Sequence, residues 1–282
     1  MNGILPKLPL AKWIDSLVDW MTATFGGIFD SISDGVEFFV EGIVSGLGAM
    51  PAILLIILVT LLSWKVCNIR IGVFALLGLL LIDNLGYWEH MLETLALVLT
   101  SVLISIVIGI PTGIWASQSD RVRQVVTPIL DLMQTMPAFV YLLPAIFFFN
   151  IGVVPGVIAS VIFAMPPTIR LTVLGIQQVP ADLIEATEAF GSTTKQKLLK
   201  VQLPLAMPTI MAGINQSIML SLSMVVIASM VGAPGLGTEV YRAVTQIKTG
   251  VGFEAGLAIV VIAILLDRIT QNISKKKQGG TA

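Results

Sequence analysis

"EATEAFGSTTKQKLLKVQLPLAMP", residues 185–208, sets carboxylates, lysines and a glycine between two long apolar segments. Just ahead of it Pro180 suits a first helical turn, and Asp182 and Glu185 follow where the helix dipole favours negative charge. Gly191 is expected to stop that helix, because it can take the left-handed cap. Leu183, Ala186, Thr187 and Phe190 would share one face, with Asp182, Glu185 and Glu188 on the other. Thr193 with Gln196 three residues on is a capping-box signature for a second helix, which Pro204 is expected to end or kink. A short helix with one apolar and one acidic face cannot bury itself alone. It is either a solvated interfacial loop or an element that needs a partner surface.

The surroundings belong to a membrane protein. Of 282 residues, 56% are hydrophobic and 12% charged, and the mean hydropathy is +0.94, too apolar for a soluble domain of this size. A net charge of -1 supplies no basic field for nucleic acid. One cysteine, Cys67, excludes an internal disulfide framework and a cysteine-rich metal site, and one histidine, His90, leaves little for a histidine metal centre or relay. Apolar runs at 50–66, 71–88, 92–117, 125–149, 153–176, 205–231 and 255–273 predict an all-α polytopic protein with about seven transmembrane helices. Only "KVCNIR" separates the first two, as in a tight helical hairpin.

Lysine and arginine set the expected orientation. With the carboxyl-terminal "SKKK" in the cytoplasm, Lys65, Arg70, Arg121, Arg123, Arg170, Lys195, Lys197, Lys200 and Arg268 fall on the same side. Lys7, Lys12, Arg242 and Lys248 fall outside, so the amino terminus is expected to be external and the polar element cytoplasmic. Asp267 and Arg268 are read as anchors of the last span at the inner interface.

The first twenty residues hold no uninterrupted apolar core, so no cleavable signal is expected. Residues 1–48 instead read as an external amphipathic tail. Trp13, Leu17, Trp20 and Met21 share a helical face opposite Asp15, Asp19 and Thr22, and Gly26–Gly27 are expected to break the pattern. Ile32, Val36, Phe39 and Ile43 then recur opposite an acidic stripe of Asp30, Asp34, Glu37 and Glu41, which either stays in the outer interface or docks a partner. Residues 49–90 form two peripheral spans, 91–273 the core domain with its loop at 177–204, and 274–282 a basic cytoplasmic tail.

Glu185-Ala186, Gly191 and then "VQLP" at 201–204 resemble the EAA motif of permease subunits in binding-protein-dependent ABC importers. Thr187 and Val201 stand where that motif commonly has alanine and isoleucine. "LDLMQTMPAFVYLLPA" (130–145), "VVPGVIASVIFAMPPTIRLTVLGIQQVP" (153–180), "AGINQSIMLSLSMVVIASMVGAPGLG" (212–237) and "GFEAGLAIVVIAILLDRI" (252–269) are similar to permeases that import glycine betaine, proline betaine and related quaternary-ammonium osmolytes. "FFFNIG" departs from the family by placing Asn150 where glycine is expected.

The resemblance implies a type I ABC importer permease (MetI-like) fold in a bacterial cytoplasmic membrane. It makes Glu185, Ala186, Thr187, Gly191, Leu203 and Pro204 the coupling residues, docked in a cleft of a cytoplasmic ATPase. It further implies an external substrate-binding protein or lipoprotein, a homodimer of the permease, a lipid environment, and ATP-Mg on the ATPase only. In keeping with this, the chain has no P-loop to cradle ATP phosphates and is not expected to bind a cofactor or to be an enzyme.

Candidate pathway residues are Asp131, Pro137, Tyr141, Pro144, Asn215, Gln216 and Ser221. Thr127 and Pro128 look like a helix start, so Asp131 is either a carboxylate in positive first turns or a pathway residue that draws a cation. Pro137, Pro144, Pro155, Pro166 and Pro167 free backbone carbonyls, as in a pathway wall or in simple kinks. Asn215, Gln216, Ser217, Ser221 and Ser223 face the same cavity or glue helices together. "VGAPGLGTEVYRAVTQIKTG" reads as an outer loop and short helix with Val240, Val244 and Ile247 on one face. An ion-coupled secondary carrier using Asp131 or Asp267 is the alternative function, and an intramembrane enzyme a more distant one.

Overall fold

The computed structural model describes residues 9–279, so Lys7 and the end of the basic tail lie outside the described residues. Twelve α-helices occur in chain order among those residues: α1 (Leu10–Gly48), α2 (Ala52–Val66), α3 (Ile69–Asn84), α4 (Trp88–Gln118), α5 (Asp120–Thr135), α6 (Ala138–Phe149), α7 (Val153–Gln177), α8 (Ala181–Ala189), α9 (Thr194–Lys197), α10 (Leu203–Ser229), α11 (Leu236–Thr245) and α12 (Thr249–Gly279). A π-helical turn, Leu198–Gln202, joins α9 to α10.

Four helical runs are long and apolar enough to cross a membrane: α4, α7, the run from Thr194 to Ser229, and α12 as far as Ile273. Two helix pairs are long and apolar enough only when taken together. The α1–α2 pair bends by 99° and the α5–α6 pair by 103°. The seven apolar runs of the sequence therefore become four continuous spans and two bent pairs, while α3, with 16 residues, reaches only about 24 Å at ~1.5 Å per residue against a ~30 Å hydrocarbon core. The bend inside 125–149 has a local cause: Met136 precedes Pro137, is held out of the helical region, and takes ψ 136°.

The centre of the molecule is the packing of α4, α7 and α10. Small residues let their backbones approach as membrane helices do. A Cβ placed on Gly113 of α4 would sit 2.6 Å from the Thr172 Cβ and 2.9 Å from the Ile169 carbonyl of α7. Between α7 and α10, Ser217 donates to the Ala164 carbonyl at 2.5 Å and, its single proton used, accepts from the Thr168 hydroxyl at 2.7 Å. Around this seam Met91, Leu97, Val98, Val157, Leu222 and Val225 form the core. The Leu236 amide donates to Thr94 Oγ1 at 2.8 Å, which fixes the glycine-rich loop ahead of α11 onto α4.

The amino-terminal segment corrects one expectation. Gly26 and Gly27 do not interrupt it, and α1 runs unbroken for 39 residues. A glycine inside a helix costs only about 1 kcal/mol. Tertiary contacts hold this helix just beyond the pair: Val36 and Val40 are buried, and Phe29 stacks on Phe148 of α6 with ring centroids 4.6 Å apart. The buried face is also rotated from the one expected, since Ile32 and Phe39 stay exposed while Val40 and Val44 pack inward. The acidic stripe of Asp30, Asp34, Glu37 and Glu41 is exposed.

Candidate functional site: a docking loop and the cavity behind it

The polar element folds as two short helices meeting at Gly191. Pro180 caps α8, and Asp182 lies in its first turn. At the other end the Gly191 amide bonds the Glu188 carbonyl (2.9 Å) and the Ser192 amide the Thr187 carbonyl (3.1 Å), with Gly191 at φ +74°. That pair of bonds is a Schellman cap, which needs the left-handed conformation glycine adopts freely. Thr193 then opens α9 with the expected capping box, the Gln196 amide donating to its hydroxyl and its own amide donating to Gln196 Oε1 at 2.9 Å.

No residue of α8 is buried. Ile184 and Thr187 turn partly toward the body, whereas Leu183, Ala186 and Phe190 face away, and Phe190 is 91% exposed. The anticipated apolar face therefore exists but has no cover within this chain. Glu185 sits at the rim of a cleft of about 320 Å³ under α8, lined also by Ser117, Ile176, Gln177, Ile184 and Gln202.

Pro204 does not stop the second helix; of the two outcomes expected of it, an end or a kink, the structure shows a distorted turn just ahead of it. Helical structure continues from Thr194 to Ser229. The π turn supplies the reason. Leu203 donates to the Leu198 carbonyl five residues back, so the ladder has already widened where Pro204 brings no amide hydrogen.

The pathway candidates lie on α5, on α6 with its leading corner, and on α10. Asp131 is not at a helix start, because α5 begins at Asp120, where Asp120 and Arg123 pair at 2.6 Å. It lies near the carboxyl-terminal end of α5, where the dipole opposes it, and is held instead by Arg170 of α7 at 2.5 Å. Pro137 is the corner of the bent pair, and the Tyr141 hydroxyl donates across that corner to the Met133 carbonyl. Pro144 is inside α6, and Pro166 and Pro167 are buried inside α7. Along α10, Ser221 and the Asn215 Oδ1 atom are turned into the packing without a hydrogen-bond partner, while Gln216 and Ser223 are exposed.

A second cavity lies behind the loop, with a volume of about 190 Å³ between the carboxyl-terminal end of α4, α5 and α7. Arg123, Thr127, Arg170 and Gln177 supply its polar lining, and Val126, Leu130, Ile169 and Val173 its apolar walls. Gln177 lines this cavity and the cleft beneath α8 alike. Sequence reading used Arg123 and Arg170 only for topology. The signal that finds the site is the three-faced period of α5, in which Arg123, Val126 and Leu130 recur at helical spacing beside Thr127 and Asp131.

At the opposite end of α4, His90 bonds Glu93 (3.1 Å) and lies 3.7 Å from Glu239 of α11, itself paired with Arg242 at 2.8 Å. Burial raises the Tyr87 hydroxyl above its ordinary value, and the nearby carboxylates of Glu254 and Glu239 add to the effect. Val244 and Ile247 are exposed here, and only Val240 of the anticipated stripe packs on the core. Asp267 accepts from Gln271 at 2.6 Å within α12.

Residues 105–279 match the family model described as the binding-protein-dependent transport system inner membrane component. The chain belongs to that family. Among relatives of this permease, the glycine betaine transport system permease protein OpuAB of Bacillus subtilis is 74% identical over 279 residues, covering 99% of either chain. The glycine betaine/carnitine transport permease protein GbuB of Listeria monocytogenes is 55% identical, over 96% of this chain and 98% of its own. The permease protein ProW of the Escherichia coli glycine betaine/proline betaine system is 48% identical, over 95% of this chain and 76% of its own. The fold of the permease is that of the inward-facing MetNI methionine ABC transporter, with TM-score 0.63 at 23% identity over 68% of this chain and 95% of the other. Membership in a transport family displaces the intramembrane enzyme and the ion-coupled carrier.

Proposed function

We propose that this chain is the membrane-spanning subunit of an ATP-driven, binding-protein-dependent importer of glycine betaine and related compatible solutes. The observation that carries the reading is the bare face of α8: Leu183, Ala186 and Phe190 stand clear of the body on a helix stopped by a rigid cap at Gly191. An apolar face of this kind is stable in the assembled complex only if a partner covers it. The partner is a cytoplasmic ATPase, which carries ATP-Mg, and Glu185, Ala186, Thr187 and Gly191 form the contact, with Leu203 and Pro204 leading from it into α10.

The amino terminus is external and the carboxyl terminus cytoplasmic, in the cytoplasmic membrane of a bacterium. Two copies enclose the pathway, because each chain offers one coupling loop and because the exposed Gln216 side chain of α10 needs water or protein rather than lipid. An external binding protein or lipoprotein delivers the solute. Closure of the ATPase dimer on ATP draws the two α8 helices together, and the continuous helix from Thr194 to Ser229 carries that movement into the membrane. Hydrolysis resets the spans.

The test is uptake of labelled glycine betaine into ATP-loaded proteoliposomes holding the permease, its co-purifying ATPase and its binding protein. Gly191→Trp with Glu185→Lys is expected to abolish both uptake and ATPase co-purification. Native-like uptake by that variant, or uptake by the native complex without ATP, overturns the reading.

A further inference from the structure

We propose that the cleft between the end of α11 and the start of α12, with Ile247 at its rim, docks a soluble protein that brings an apolar side chain flanked by a carboxylate. On the importer reading, on which the partner's identity rests, that protein is the external binding protein.

The first observation is a strained cap. The Ile247 amide bonds the Val244 carbonyl at 3.2 Å and the Lys248 amide the Ala243 carbonyl at 2.8 Å, a Schellman pair that closes α11. The same pair of bonds closes α3, α8 and α10, where Gly86, Gly191 and Gly232 hold the left-handed position at φ +78°, +74° and +91°. In α11 that position, at φ +55°, belongs to an isoleucine. A branched side chain crowds its own backbone there, which makes a β-branched residue in this region an outlier. Packing within the chain does not offset the strain, because the Ile247 side chain is 88% exposed. Glycine would close the helix with less strain. The isoleucine is explained by a contact that the single chain does not hold.

The surroundings say what kind of contact. Ile247 and Val244, itself 69% exposed, line a cleft of about 340 Å³ together with Thr249 and Gly252 of α12. Residues 245–250 are all exposed, and Thr245, Gln246, Lys248 and Thr249 among them are polar. A turn of this composition stands in water, since hydrocarbon satisfies neither its irregular backbone nor those side chains. Lys248 also lines the cleft and has no ion pair among the described residues. An apolar rim beside an unpaired cation fits a protein surface of the complementary pattern, an apolar side chain next to an aspartate or glutamate.

The place of the cleft in the fold excludes the ATPase. α10 carries the chain for 27 residues, about 40 Å at ~1.5 Å each, away from the docking loop. α4 spans the same distance in reverse, from Thr94, which accepts from the Leu236 amide at the start of α11, to Ser117 in the cleft under α8. A partner at Ile247 therefore approaches from the face opposite α8.

The experiment uses the complete complex of permease, ATPase and binding protein in proteoliposomes. A benzophenone photoprobe is attached through Val244→Cys in a Cys67→Ser background, and illumination is expected to join the permease to the binding protein. In parallel, Ile247→Gly is expected to raise the thermal midpoint of the purified permease by about 2 °C or more, because the strain is relieved. The same variant is expected to lower glycine betaine uptake roughly fivefold or more when the binding protein is limiting, and Lys248→Glu to lower it as well. A residue that served the cap alone would change stability and leave uptake at the native level. An adduct only to a second permease copy or to lipid, or native-like uptake by Ile247→Gly, overturns the docking site and leaves the importer reading standing. A native complex that imports no glycine betaine overturns the importer reading, and the partner's identity falls with it.

Discussion

Lys197 Nζ lies 2.5 Å from Glu188 Oε1, closing α9 onto α8 across the turn at Gly191. The lysine is the more buried partner, at 18% side-chain exposure against 56% for the glutamate. Such a partly exposed pair contributes up to about 1 kcal/mol. Glu188→Lys is expected to weaken co-purification of the ATPase, and Glu188→Lys with Lys197→Glu to restore most of it. An exchange variant that co-purifies no better than the single reversal refutes a pairing role.

Gly191 holds φ +74° beneath that pair. A side chain in the left-handed region costs roughly 1–2 kcal/mol, least for asparagine. Gly191→Val is expected to lose coupled ATP hydrolysis while Gly191→Asn keeps a large part of it. Equal activity of the two variants in a reconstituted ATPase assay would show that the cap is dispensable.

Asn150 occupies φ 62°, ψ -168° at the end of α6, a region that essentially only glycine enters without strain. Asn150→Gly is therefore expected to stabilise the purified permease by about 1 kcal/mol. The thermal midpoint in detergent reports this, and a lowered midpoint contradicts it.

The contact of Gly113 with Thr172 leaves no room for a side chain. Gly113→Val is expected to cost at least ~1–3 kcal/mol through overpacking of α4 against α7. Gly250, which meets nothing within 4 Å, serves as the control position for Gly→Ala. Thermal unfolding of the two variants side by side decides the matter.

Tyr87, in the turn between α3 and α4, has its hydroxyl raised above the ordinary 10.0, first by burial and then by Glu254 and Glu239. For an acid whose folded value is raised, the stability it adds is full below the unfolded value and lost as pH climbs through the folded one. The native permease is expected to lose stability with a steeper slope above about pH 10 than Tyr87→Phe does. Parallel slopes in that range count against a buried Tyr87.

Local signals proved reliable where one residue dominates its own turn. Pro180, Gly191 and the Thr193–Gln196 box mark the ends of α8 and α9 as read from the sequence, because capping involves only neighbours along the chain. Gly26–Gly27 misled for the opposite reason, and Pro204 left open whether the helix would end or only distort. A penalty of about 1 kcal/mol at a helical glycine is small beside side-chain burial, and a π turn absorbs a missing amide. Asp131 misled because Pro128 sits inside α5 and not at its start.

Composition and apolar run length determined by themselves that this is a helical membrane protein, and the residues from Pro180 to Gln196 that it carries two short capped helices meeting at Gly191, since lipid admits few spanning structures and caps are local. The tertiary structure decided what depends on residues far apart in sequence. It set the pairing of Asp131 with Arg170, the outward turn of Phe190, the approach of Gly113 to Thr172, and the cavity that Arg123 and Arg170 share. Helical periodicity says which residues share a face. The packing of other helices selects which face is covered, and that choice has no signature within one helix.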